Sequence, residues 1–321
     1  TKASAGRGSE LSVVVPVFEE QDSISPFMER MVPLLESLTP DYEIIFCVDP
    51  GRDRTQETIA EHIRGNPRVR MIVFTRRFGQ PPATVAGIEA CHGRACVVID
   101  VDLQDQPEVI REMYAKWKEG YEVVYAKRRS RDGETFMRRY GAVVWYWLIN
   151  NISDVEIPRD TGDFRLIDRK VIDVLKNLKE THCFLRGLVP YIGYRQVAVP
   201  FDRAARQAGR SKYSQVLGSM KIAFNGIVAF SGKPLRLATL FGFLMAGLSL
   251  FLAVHFIVLK LVFEREMMPG FATIIVCLTF FAGIQLICLG LMGEYISRIY
   301  DEVRNRPKYI VARRENFPED A

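Results

Sequence analysis

Ala95-Cys-Val-Val-Ile-Asp-Val-Asp-Leu-Gln-Asp105 is an apolar run that breaks into three carboxylates within six positions. A short segment that is apolar at nearly every position is the pattern of a strand buried on both faces, as in parallel sheets. Four more segments read the same way: Leu11–Val17, Tyr42–Val48, Val69–Phe74 and residues 121–126. Helical stretches near 23–38, 55–64, 81–91 and 107–118 separate them, with Pro26 and Pro107 in first turns as helix-start signals. Strand–helix alternation repeated four times predicts an α/β domain with a Rossmann-like, mostly parallel, doubly wound sheet. Such sheets hold ligands at the carboxyl ends of their strands, so the residues just after each strand are the candidate site.

The chain has 321 residues, 48% apolar and 25% charged, enough for one or two domains with a sizeable core. These averages conceal residues 237–254 and 271–291, which carry no formal charge and are long enough to cross a bilayer core of about 30 Å. Lys221, Lys233 and Arg236 precede the first run, and Arg298, Arg304, Arg306, Lys308, Arg313 and Arg314 follow the second. The loop between holds Arg265, with Lys260 at its edge. By the positive-inside rule, two transmembrane helices are expected to form a hairpin with the α/β domain and both termini in the cytoplasm, in an inner (plasma) membrane protein. The expected division is a cytoplasmic domain over 1–210, an amphipathic juxtamembrane helix over 211–233, the spans over 234–297 and a tail over 298–321. A Trp/Tyr-rich helix over 134–150 is read equally as an interfacial or a core helix. The modest net charge of +5 points to lipid headgroups rather than nucleic acid as the acidic partner. Six scattered cysteines with no CxxC pair fit free thiols in a reducing compartment and argue against a zinc site. The polar stretch 1–10 and the short apolar run after it do not form a signal peptide.

Asp100 and Asp102 alternate at a strand end, which can direct both toward one ligand, and two hard carboxylates suit Mg²⁺ or Mn²⁺ shared with a diphosphate. Asp105, before Gln106-Pro107, also fits a helix cap. The ends of the first two strands, Val15-Pro-Val-Phe-Glu-Glu20 and Val48-Asp-Pro-Gly-Arg-Asp53, place carboxylates where a nucleoside's base and ribose could be held. Arg128, Arg129 and Arg131 either close over the nucleotide or stand solvated. Arg203, Arg206, Arg210 and Lys212 precede the juxtamembrane helix, where an acceptor phosphate emerging from the bilayer would be met, or anionic lipid attracted. In Asp160-Thr-Gly-Asp163-Phe-Arg165, Asp160 or Asp163 could accept a residual proton or orient a bound ligand, with Arg165 pairing with one of them. A turn with a structural salt bridge is the competing reading.

With these motifs in this order, and with Arg159–Lys170, Arg210-Ser-Lys-Tyr213 and Arg306-Pro-Lys-Tyr309, the sequence resembles the family-2 glycosyltransferases of GT-A fold. It is most similar to the membrane-bound polyprenyl-phosphate glycosyltransferases, the group that includes bactoprenol glucosyltransferases and dolichol-phosphate mannose synthase. The resemblance implies that Pro16, Val17 and Glu19 border the nucleotide, that Asp49 contacts uracil, and that Asp100 and Asp102 with Gln104 form the metal and diphosphate site. It implies inverting transfer of one sugar, glucose from UDP-glucose first and a mannose or aminoarabinose-type sugar as the alternative, to undecaprenyl phosphate. It also allows a homo-oligomer, since related enzymes can be tetramers. One departure stands out: where the family usually has a second Asp and a Ser, this chain has Pro50-Gly51-Arg52. A processive polysaccharide synthase is disfavoured because none of the three tryptophans follows an arginine as a QxxRW motif requires. A non-catalytic scaffold is disfavoured by the intact DxD.

Overall fold

Short runs that are apolar at nearly every position are stable as strands only where both sheet faces are covered. In the computed structural model, which describes residues 9–129, 161–178, 180, 185–202, 231–262 and 270–317, the predicted runs are such strands. β1 (Leu11–Val17), β2 (Tyr42–Val48) and β4 (Ala95–Val98) are buried at every position, and β3 (Val69–Phe74) at all but Arg70. Between them run α1 (Gln21–Leu38), α2 (Thr55–Gly65) and α3 (Gln80–Ala90), and α4 (Val109–Lys118) follows β4. The approach of α3 to the sheet depends on Gly87, where a Cβ would stand 2.3 Å from Val14 Cγ1 and 2.7 Å from Cys47 Sγ.

The later part of the sheet departs from simple alternation. β5 (Val123–Arg128) does not lie beside β4; β6 (Thr161–Asp168) inserts between them, antiparallel to both. Sequence reading takes Asp160–Arg165 as a site motif or a turn and predicts no strand there, because its glycine and two aspartates mask the strand residues Phe164, Leu166 and Ile167. α5 (Arg169–Asn177), α6 (Leu185–Ile192) and β7 (Gln196–Phe201) follow, with β7 parallel to β5. β8 (Val311–Glu315), from the tail, runs antiparallel to β3 and covers that edge. The order is β7-β5-β6-β4-β1-β2-β3-β8. The direction of winding therefore reverses between β1 and β4, where ligand crevices form in open α/β sheets.

The described residues divide into two compact units. The first holds the sheet and includes the chain from Pro307 onward. Tyr309 fastens this tail: its hydroxyl donates to Glu89 Oε2 at 2.5 Å and its ring meets Phe74 edge-on at 5.7 Å. The second unit contains α7 (Lys233–Val262) and α8 (Phe271–Arg304). Within it the Tyr295 hydroxyl donates to the Ser231 carbonyl at 2.6 Å. These helices expose large apolar side chains, among them Phe243 at 74% and Ile287 at 72%. Among the described residues one segment, Phe280–Arg304, is long and apolar enough to cross a membrane, where the sequence predicts two.

Candidate active site at the β1–β4 crevice

The crevice is opened by a proline. The Asp49 amide donates to the Val17 carbonyl on the β2 side and the Ile99 amide to the Val14 carbonyl on the β4 side. In a parallel strand successive residues face opposite neighbours, so Pro16 faces β4. Pairing of β1 with β4 ends at Val14–Val98, so the missing N–H of Pro16 costs no ladder bond. Pro16 and Val17 are buried in the sheet end, and the chain turns through Glu19 in the left-handed region, φ 52°.

The Pro50-Gly51-Arg52 departure fits this turn. A Cβ at residue 51 would lie 2.6 Å from Glu19 Cγ, so glycine makes room for the Glu19 side chain. The Arg52 amide then donates to Glu19 Oε1 at 3.4 Å, while the Arg52 residue is exposed. Asp49 is buried, and its two carboxylate oxygens accept the Phe78 and Gly79 amides at 2.9 and 2.8 Å. It thereby fixes the entry to α3, whose first residue, Gln80, donates from Nε2 to Asp100 Oδ1 at 2.7 Å.

Across the crevice, β4 ends and the chain turns through Leu103, also left-handed at φ 56° and only 3% exposed. Backbone strain in a bulky buried residue is a feature that clusters at binding and catalytic sites. The turn folds the Gln104 amide onto Asp102 Oδ1 at 3.1 Å. Neutral amides thus orient one oxygen each of Asp100 and Asp102, and neither contact cancels the charge. Among the described residues no group of three or more Asp, Glu, His or Cys side chains could cage a metal. Two hard carboxylates of this kind fit a Mg²⁺ or Mn²⁺ ion whose remaining ligands are water and substrate phosphate.

β6 supplies the far wall. Its register pairs Arg165 with Val98, and carried two residues further it brings Asp163 to the level of Asp100. Sequence reading pairs Arg165 with Asp160 or Asp163; the side chain that forks Asp163 is instead Arg186, at the start of α6, with Nε and Nη2 each at 2.9 Å. Arg165 instead donates to the carbonyls of Leu185 at 3.2 Å and Gly162 at 2.9 Å. Burial alone would raise the Asp163 pKa, but the charge and hydrogen bonds of Arg186, with Arg165 nearby, hold it below the ordinary carboxylate value. Burial draws the Arg165 guanidinium down to about 10, which leaves it charged at neutral pH. Arg128 closes β5 beside Gly162, where a Cβ would lie 3.9 Å from Arg128 Nη2. Arg129 pairs at the surface with Asp202, 3.7 Å away. Asp160, Arg131, Arg203, Arg206, Arg210, Lys212 and the helices expected over 134–150 and 211–233 lie outside the described residues.

Sequence reasoning missed Arg186 and Gln80. No local pattern marks Arg186, whose partner is 23 residues away. Gln80 was findable, because Gly79 before it and Pro81-Pro82 after it announce a helix start facing the crevice.

A sheet wound in this order, with paired carboxylates at the switch point, defines a glycosyltransferase domain of the GT-A type. The chain matches the model of glycosyl transferase family 2 over residues 12–175 and belongs to that family. It is 45% identical over 305 residues to the uncharacterized glycosyltransferase YkcC of Bacillus subtilis, covering 95% of this chain and 94% of the relative. It is 40% identical over 303 residues to the uncharacterized glycosyltransferase sll0501 of Synechocystis, covering 94% and 95%. To the SfII prophage-derived bactoprenol glucosyl transferase of Shigella flexneri it is 38% identical over 302 residues, covering 94% and 97%.

Proposed function

We propose that this glycosyltransferase moves one sugar, glucose, from UDP-glucose to a polyprenyl phosphate such as undecaprenyl phosphate at the cytoplasmic face of the membrane, inverting the anomeric centre. The observation that carries the reading is the pair Asp100 and Asp102 at the β1–β4 crevice, in a chain that aligns nearly end to end with a bactoprenol glucosyl transferase. Transfer of another sugar to the same lipid class remains the second reading, since no motif encodes hexose selectivity.

In this reading Asp100 and Asp102 hold the cation beside the UDP diphosphate, with Gln104 at the same turn. The bound Mg²⁺ or Mn²⁺ supplies positive charge that favours departure of the nucleotide. Pro16, Val17 and Glu19 border the nucleotide, Asp49 shapes the base side, and Arg128 closes over the phosphates. The acceptor oxygen is already ionised near neutral pH, so orientation and charge matter more than a strong base. Asp163, kept ionised by the Arg186 fork, is a weak proton acceptor and serves to orient; the residual proton falls to Asp160. Arg203, Arg206, Arg210 and Lys212 receive the lipid phosphate.

The topology follows the same reading: two spans, with both ends cytoplasmic. Support comes from β8, which pairs with β3. A single sheet cannot straddle a bilayer, so chain that leaves the first unit and returns to it crosses an even number of times. The test is thermal unfolding of the detergent-solubilised protein with UDP and Mn²⁺. At 100 times Kd a ligand adds about 2.7 kcal/mol, a rise of about 5–10 °C for a unit of this size. The part of the rise that depends on the cation should vanish with EDTA and in Asp102→Ala, leaving the smaller shift of UDP alone; absence of any rise in the wild type refutes the reading.

A further inference from the structure

Gln80 donates to Asp100 from outside the DxD turn, and its backbone is constrained on both sides. Before it, Gly79 adopts φ +93°, a conformation that L side chains rarely take, and its amide is anchored 2.8 Å from the buried Asp49 carboxylate. After it, Pro81 and Pro82 fix the backbone of the first helical turn. The Gln80 carbonyl also accepts the Thr84 hydroxyl at 2.9 Å, tying it to the next turn. A side chain launched from a backbone held this firmly is a preorganised donor. Gln80 is itself exposed, so its bond to Asp100 is not enforced by burial.

We propose that Gln80 is a positioning residue for the cation site, an inference that rests on the metal-dependent reading above. Its amide, 2.7 Å from Asp100 Oδ1, turns the carboxylate toward the crevice. A neutral donor does this without offsetting the negative charge that a divalent cation requires, as an arginine or lysine fork would. The chain Asp49–Gly79–Gln80–Asp100 then joins the end of β2 to the end of β4. The loop expected to meet the nucleotide base and the carboxylate expected to meet the cation are set by one short helix start. Substrate and cation sites are thereby coupled through α3 rather than only through the diphosphate.

The test uses full-length protein in detergent and measures Mn²⁺ binding by electron paramagnetic resonance with saturating UDP, apart from any turnover. Gln80→Met keeps an unbranched side chain of similar length and helix preference but has no donor; Gln80→Leu is a second donorless variant. Partners that orient metal ligands typically contribute 10–100-fold to metal affinity. Both variants should raise the Mn²⁺ Kd about tenfold or more, while UDP affinity in EDTA stays at the wild-type value. A purely structural role would shift both constants together. Wild-type binding of Mn²⁺ with unchanged Kd in both variants overturns the role of Gln80 alone. Failure of the wild type to bind Mn²⁺ in the presence of UDP overturns this proposal together with the reading it rests on.

Discussion

Replacing Arg186 with methionine removes the two hydrogen bonds that fork Asp163, each 2.9 Å long, and keeps most of the aliphatic volume. A hydrogen bond to a charged group contributes about 1.5–3 kcal/mol. The side chains of Arg186 and Asp163 are 31% and 27% exposed, so solvent screens part of this, and we expect a net loss of about 2 kcal/mol. For a folded unit of about 200 residues that corresponds to a melting temperature lower by about 4–8 °C at pH 7. The pH dependence has a definite sign. In the wild type the Asp163 pKa is depressed, so the stabilisation is complete above the unfolded value of about 3.9 and is lost as pH falls through the folded value. In Arg186→Met burial dominates and raises the pKa, so the variant recovers stability as pH falls toward the unfolded value. The gap between the two proteins should therefore narrow steadily from pH 7 to pH 4. A double-mutant cycle with Asp163→Asn should give a coupling of about 1–2 kcal/mol. Melting within 1 °C of wild type at pH 7, or a gap that does not change with pH, would refute the assignment of this pair.

Three further outcomes are expected. Gly87→Ala forces a methyl group to 2.3 Å from Val14 Cγ1 and should destabilise by about 1–3 kcal/mol in denaturant titration; a neutral effect would mean that α3 shifts freely on the sheet. Asp49→Asn leaves one of the Phe78 and Gly79 amides facing an amide NH₂, so UDP affinity measured by calorimetry should fall about tenfold, and unchanged affinity would separate this loop from the nucleotide. Tyr309→Phe loses the bond to Glu89 and should cost about 1 kcal/mol. Burial and then Glu89 raise the Tyr309 pKa, so the wild type loses stability above pH 10, where the unfolded chain deprotonates first; the variant should lack this alkaline component.

The parallel half of the sheet was legible because β1 to β4 are apolar at nearly every position, with Ser12, Glu43 and Arg70 the polar exceptions, and burial on both faces leaves that mark on sequence. β6 was not, because its first three residues, Thr161, Gly162 and Asp163, are polar or lack a side chain and so break the strand pattern. β8 was hidden for a related reason: Val311–Glu315 is an edge strand, and Arg313 and Arg314 within it suit solvent rather than a core. Asp100 and Asp102 could be placed at a strand end from alternation alone. The distant partners of Asp100 and Asp163 could not, since Gln80 reaches Asp100 across 20 residues of chain and Arg186 reaches Asp163 across 23. Asp49 was correctly set at the end of β2, but its hold on the Phe78 and Gly79 amides depends on the neighbouring loop after β3, which pairing with β2 brings alongside.

The most direct measurement of the central claim is sugar transfer itself. Purified full-length protein is incubated with UDP-[¹⁴C]glucose, undecaprenyl phosphate and Mn²⁺, and the label is partitioned between water and organic solvent. The account predicts that label enters the organic phase with the wild type and remains in water with EDTA or with Asp102→Ala. Label that stays aqueous for every nucleotide sugar tried, or that transfers undiminished in EDTA, would contradict it.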